Sequence, residues 1–178
     1  SISNGPQYDY GTKALGSATD FSFTINNTGS SLATAVNGAG LAAPFSYKDG
    51  AYPGTGGTCG VSIAAAASCT IVVSYSPVTV AVHTDTIEIN YNDGFAAQTA
   101  VRDVRGEAVS AAYISISESD PYDYGTVANN SITDYTFTLT NTGNLPTSSM
   151  TGSGLAAPFT FKGGTYPGTG GDCGASLN

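Results

Sequence analysis

Apolar and polar residues alternate one by one along much of this chain. Phe21, Phe23 and Ile25 stand between Ser22, Thr24 and Asn26, and Tyr135, Phe137 and Leu139 repeat that alternation further on. A period of two puts one face of an extended strand in a core and the other in water. Ile71, Val73 and Tyr75 alternate with Thr70, Val72 and Ser74, and Ile87, Ile89 and Tyr91 form a third apolar face. Turn residues follow these runs: Asn27-Thr28-Gly29, Asn141-Thr142-Gly143, and Asn92-Asp93-Gly94, the last a hairpin turn into a final strand over about 96–104. No window carries a helical period, and segments rich in Gly, Thr and Val form helices poorly. The pattern predicts an all-β, antiparallel sandwich with about six to eight short strands per module.

The chain also repeats itself. Tyr8-Asp9-Tyr10-Gly11-Thr12 returns as Tyr122-Asp123-Tyr124-Gly125-Thr126, 114 positions on. Gly40 to Phe45 returns as Gly154 to Phe159, and Tyr52 to Gly57 as Tyr166 to Gly171, with Cys59-Gly60 matched by Cys173-Gly174. Roughly 35 of the first 64 positions are identical in the second copy without a gap. Small residues over 106–111 mark the junction. The expected organisation is a complete repeat at 1–108, a linker at 109–112 and a partial repeat at 113–178. The second copy stops before the counterpart of Ala65, so the chain reads as an excerpt from a longer array.

Each copy opens on an aromatic-Gly-Thr strand, continues with Phe-x-Phe-Thr ending in Asn-Thr-Gly, and reaches a Gly-rich stretch with a Cys. In the first copy Ala67-Ser68-Cys69-Thr70-Ile71 follows, running on to Pro77. This order resembles the ASPM/SPD-2/Hydin (ASH) immunoglobulin-like repeats, and in particular the tandem versions in bacterial choice-of-anchor surface proteins. The resemblance covers Ser1 to about Ala108 and the second copy from about Tyr113. It implies tandem immunoglobulin-like antiparallel β-sandwiches, the second truncated, used as non-catalytic building units. Tyr10 and Tyr124 then take the aromatic position that packs inward in that family.

Composition narrows the function classes. Charged residues make up only 10 %, and five Lys+Arg face thirteen Asp+Glu for a net charge of −8. That balance excludes a phosphate-backbone partner, which needs clustered cations, so no nucleic acid is expected. No apolar stretch approaches the roughly 18 residues of a membrane span. The expected partners are further repeats of the same array or neighbouring subunits, with a host or cell-surface glycan or protein as the alternative.

Cys59 and Cys69 lie ten residues apart, a spacing that permits a disulfide or two buried thiols. In the ASH-like family the pair commonly forms a disulfide, which implies an extracellular or cell-surface location on a bacterium, or a periplasm. Cys173 matches Cys59, and its partner's counterpart would lie beyond Asn178. Two cysteines without a His cluster do not complete a zinc site, and no cofactor is expected.

Catalytic signals are thin. His83 is the sole histidine and no Gly-x-Ser-x-Gly elbow accompanies it. Glu88, Asp93 and Asp103 are candidate paired carboxylates, but Glu88 alternates with Ile87 and Ile89 and so falls on a solvated face. Glu118, Asp120 and Asp123 form an acidic group beside the junction, a weak Ca2+ candidate, since that ion takes about six to eight oxygen ligands. Only Asp123 has an acidic counterpart in the first copy, where Asn4, Pro6 and Asp9 stand. Tyr52 and Tyr166 occupy Gly-rich loops; they serve either as loop aromatics for a glycan or protein ligand or as rings folded back over the sandwich. Lys48 and Lys162 are equivalent, and a Lys–Asn amide there would need a buried carboxylate beside the pair. Two Asn-x-Ser/Thr triplets, at Asn26 and Asn129, complete the inventory.

Overall fold

A computed structural model describes residues 1–178. The chain divides into two compact units, Ser1–Val109 and Ser110–Asn178. The first is an all-β sandwich of seven strands: β1 (Gln7–Ala14), β2 (Thr19–Asn26), β3 (Thr34–Ala39), β4 (Phe45–Tyr47), β5 (Ser68–Tyr75), β6 (Val82–Asn92) and β7 (Ala97–Val109). One sheet runs β1-β7-β6-β3 and the other β2-β5-β4.

The alternation in the sequence maps onto the core. Phe23, Ile71, Val73, Tyr75, Ile87 and Val104 are fully buried, and Ile25, Val36, Phe45 and Ile89 join them. β2 and β5 pair antiparallel over their whole length, with Phe23 opposite Ile71 and Phe21 opposite Val73. Tyr8 stacks on Phe21 with ring centroids 3.9 Å apart and meets Phe23 edge-on at 5.3 Å. Tyr10 is buried and its hydroxyl donates to the Val73 carbonyl at 2.8 Å, so the inward aromatic also ties one sheet to the other.

Three features depart from the expected layout. The sandwich is not antiparallel throughout, because β1 and β7 pair in parallel. These strands come from opposite ends of the unit, so no hairpin dictates their direction. Their register slips between Asp9 and Thr12, where Gly11 holds φ 72°, so the glycine of the aromatic-Gly-Thr motif supplies a bulge. Of the small residues over 106–111 that mark the junction, those up to Val109 belong to β7. Val109 pairs with Ala14, and a Cβ at Gly106 would stand 2.6 Å from the Tyr75 ring. Gly106 is therefore a packing glycine beneath Tyr75. The hairpin turn is longer than two residues: β6 ends at Asn92, β7 begins at Ala97, and the Asp93 carboxylate accepts from the Phe95 and Ala96 amides at 2.8 Å each.

The second unit contains one ladder, β8 (Ile114–Ile116) against β9 (Leu139–Asn141). Ile116 faces Leu139 there, as Ile2 bridges Ile25 at the equivalent place in the first unit. The strand expected over Tyr135 and Phe137 does not form. In the first unit that segment is held by β5; the second unit holds no strand equivalent to β5, and no residue of Ser110–Asn178 is buried.

Truncating the ring at the centre of the first core, Phe23→Ala, is expected to cost about 3–5 kcal/mol. Urea unfolding of the full chain followed by aromatic circular dichroism checks this; a loss under about 1 kcal/mol would show that the core collapses around the gap.

Candidate functional site

The loop between β4 and β5 is tied down by side chains that the sequence placed close in order but not in space. Cys59 and Cys69 form a disulfide with Cα atoms 4.8 Å apart, Cys59 being buried and Cys69 lying opposite Ile25 on β5. Beside it, Thr58 and Thr70 interlock. The Thr58 and Cys59 amides donate to the Thr70 carbonyl at 2.8 and 3.0 Å, and the Thr70 amide donates to Thr58 Oγ1 at 2.9 Å.

Within this loop Tyr52 packs edge-on against Tyr47, with centroids 5.6 Å apart, and both rings lie over Gly38, where a Cβ would strike them. Its hydroxyl reaches the Gly60 carbonyl only at 3.5 Å, and burial raises its pKa. Tyr166 repeats the arrangement against Phe161 at 5.6 Å over Gly152. The structure thus gives both tyrosines a packing role; neither ring is presented as an open platform.

The acidic group at the junction does not assemble. Glu118, Asp120 and Asp123, the weak Ca2+ candidate, are not gathered into a cluster of three or more His, Cys, Asp or Glu side chains. Asp123 Oδ1 instead accepts from the Gly125 amide at 2.7 Å, as Asp9 Oδ1 does from Gly11. Glu118 lies beside the Tyr135 hydroxyl, and its carboxylate is the main reason the phenol is pushed up to about 12. His83 is half-buried on β6, with Nδ1 2.9 Å from the Tyr75 hydroxyl and Nε2 3.1 Å from Thr79 Oγ1. Both ring nitrogens are engaged with hydroxyls, a closing contact between β5 and β6 that the sequence did not reveal. Of the other carboxylates, Asp103 accepts from Thr86 Oγ1 at 2.8 Å and Asp93 caps its hairpin, so these stabilise β6 and β7 locally.

Lys48 meets a carboxylate: its Nζ lies 2.7 Å from Asp20 Oδ2, while Ser74 Oγ donates to Asp20 Oδ1 at 2.6 Å. Lys162 pairs with Asp134 at 2.6 Å in the second unit. Both pairs are partly exposed, which makes them ion pairs rather than a buried amide cross-link site. Arg105 reaches Asp9 at 2.6 Å across the β1–β7 edge, and Arg102 donates to the carbonyls of Ile2, Ser3 and Pro6, clamping the first residues to β7.

The Asn-Thr-Gly turns do more than reverse the chain. Asn27 Nδ2 lies within 3.1 Å of the carbonyls of Ser31, Ile63 and Ala64, and Asn27 Oδ1 accepts from Gly29, so one amide joins two loops to the end of β2. Asn141 repeats the clip onto Leu145 and Leu177. Next to Asn27 a groove of about 390 Å3 opens at the end of the first sandwich. Its floor is Ile25, Val36, Ile63 and Ile89, and its rim carries the turn and Phe95, which is 95 % exposed.

No protein-family model matches the chain, and no curated protein matches it. Among solved structures it is similar to the VesB protease of Vibrio cholerae, at 20 % identity and a TM-score of 0.48, over 60 % of this chain and 31 % of that one. It is also similar to the ASH/PapD-like domain 7 of human CEP192, at 12 % identity and a TM-score of 0.44, over 62 % and 85 % of the two chains. The secreted serine protease VesC of Vibrio cholerae matches at 19 % identity and a TM-score of 0.39, over 59 % and 22 %. The chain therefore spans about a third of the length of VesB. No helix is long and apolar enough to cross a membrane.

Asp9 is held below the usual carboxylate range chiefly by the Gly11 amide and then by Arg105, and Asp20 chiefly by Lys48 and then by Ser74. Stability from such groups is complete above the unfolded value near pH 4 and is lost as pH falls through the folded one. Acid titration should therefore lower the urea midpoint progressively below about pH 4, and Asp20→Asn should make that loss shallower. A variant with an unchanged acid slope would show that the Lys48 pair is screened out.

Proposed function

We propose that this chain is a structural repeat module of an exported bacterial surface protein, a building block of a stalk or filament in an adhesin or extracellular appendage. The observation that carries it is what the two copies share. Offset by the same 114 positions, they repeat the Asn27 and Asn141 clips, the Asp20–Lys48 and Asp134–Lys162 pairs, and the Tyr8–Phe21 and Tyr122–Tyr135 ring contacts. These are fastenings. The acidic residues that differ between copies, Glu118 and Asp120, assemble no ion site. Duplicating fastenings while leaving polar surface free to vary supports an architectural unit, and the resemblance to ASH-like repeats supports the same reading.

The Cys59–Cys69 disulfide fits an oxidising compartment, hence a location outside the cytosol. Mechanically, the bridge fastens the β4–β5 loop to β5, the strand that holds β2 and β4 together. Neighbouring repeats or subunits are the proposed partners, and no catalytic role is assigned. A ligand-binding module using Tyr52 and Tyr166 is the alternative; the packed state of both rings counts against it.

Single-molecule stretching of the oxidised chain tests the load-bearing role. The first unit should give one discrete unfolding event, and reduction should lengthen the released contour by about 35 Å for the ten residues freed, at about 3.5 Å each. Featureless extension would overturn the stalk reading. So would cell or glycan adherence that is lost in the Tyr52→Ala, Tyr166→Ala double variant while the fold is retained, which would establish the ligand-binding role instead.

A further inference from the structure

The outward face of β3, β6 and β7 carries a row of neutral polar side chains that the sandwich does not consume. Cross-strand pairing puts Asn37 opposite Asn90 and Asn90 opposite Thr99, with Asn92 opposite Ala97 in the next row. Their chain neighbours Val36 and Ile89 are buried, so the row stands on the face turned away from the core. Together with Ala35 these residues line a groove of about 430 Å3. That lies inside the range of about 300–1,000 Å3 found for small-ligand sites.

Each amide in the groove has one end fixed by the protein and the other left free. The register of β3 slips between Thr34 and Asn37, where Ala35 holds φ 52°, a left-handed backbone that is strained for an alanine. At this bulge Asn37 Nδ2 donates to the Ala35 carbonyl at 2.9 Å, which leaves Asn37 Oδ1 as a free acceptor. Thr99 Oγ1 donates to Asn90 Oδ1 at 2.7 Å, so the Asn90 Nδ2 protons are free. The Gly94 amide donates to Asn92 Oδ1 at 2.8 Å, which frees Asn92 Nδ2 in the same way. Across three strands the row therefore reads acceptor, donor, acceptor, with the lone pairs of Thr99 Oγ1 last and a second donor alongside.

We infer that this groove is a binding site for a neutral oligosaccharide. Adjacent hydroxyls on a sugar ring each donate and accept, and an alternating row of pre-oriented amides meets them without paying to order its own side chains. An extended peptide holds its main-chain donors and acceptors in the plane of its strand, so it leaves such a row unmatched. Charge narrows the class further. Glu88 pairs with Val101 one row below on the same face, and no Lys or Arg lines the groove, so an anionic sugar is repelled. The outward donors of Asn90 and Asn92 repel a cation. The site is separate from the Tyr52 and Tyr166 loops, and it stands apart from the stalk reading, because a module that bears no load would bind the same ligand.

NMR titration of the full chain tests this through the side-chain NH2 resonances of Asn90 and Asn92. The probes are cellohexaose, maltohexaose and N-acetylchitohexaose, with hexagalacturonate as the anionic counterpart. At least one neutral oligosaccharide should shift both resonances saturably, and hexagalacturonate should shift neither. Asn90→Asp puts an acceptor of the same shape where the donor stood and should weaken that binding about tenfold or more, with the spectrum of the fold retained. Thr99→Val releases the Asn90 amide and should weaken binding too, whereas Thr99→Ser should keep it. The Tyr52→Ala, Tyr166→Ala double variant, while folded, should bind as the parent chain does. No shift with any neutral oligosaccharide, equal binding of hexagalacturonate, undiminished binding by Asn90→Asp, or loss of binding in the folded tyrosine variant would overturn the inference.

Discussion

Burial of one face of β5 is the constraint on which the first unit depends. Ile71, Val73 and Tyr75 are entirely removed from solvent, and burying each such side chain stabilises a fold by about 1.5–3 kcal/mol before entropy is charged against it. The same strand carries the disulfide at Cys69, the threonine interlock at Thr70, the carbonyl that receives the Tyr10 hydroxyl at Val73, and the serine that steadies Asp20 at Ser74. β2 and β4 are held on its two edges, and Tyr75 reaches across to Gly106 and His83. These polar fastenings are therefore anchored on a strand whose other face is buried, and their geometry is fixed by packing.

The second unit carries many of the same motifs and no strand equivalent to β5. Its rings keep their spacing, with Tyr122 4.2 Å from Tyr135 and 5.2 Å from Phe137, close to the first unit's values. Its ion pair and its asparagine clip also persist. Yet Tyr135 and Phe137 are not in a strand, and no residue there is buried. Local contacts follow from neighbouring residues, whereas a ladder needs a partner for its amides and carbonyls.

How legible the functional surface was depended on how each residue acts. The disulfide pair stood out because cysteines are scarce and the resemblance paired them. The tyrosine loops were recognised as loops, but which way the rings turn depended on Gly38 and Gly152, far away in the chain. Glu118, Asp120 and Asp123 were close in sequence, which is a poor guide to coordination; Asp123 accepts from the Gly125 amide and Glu118 stands beside the Tyr135 phenol instead. Arg102 gave no sequence signal at all, because its partners are backbone carbonyls of Ile2, Ser3 and Pro6. Glycines and alanines at the end of β7 looked like a linker, since a small residue packed beneath a ring reads the same as one left in solvent.

By itself the sequence determined the all-β class, the strand faces of β2, β5 and β6, the turns, and the duplication. Each follows from alternation, turn chemistry or identity, which are properties of neighbouring residues or of direct comparison. Only the tertiary structure decided that β1 runs parallel to β7 and that Gly106 belongs to a strand. Those outcomes depend on which distant segments meet, and on whether a backbone donor finds an acceptor, and no pattern along the chain records either.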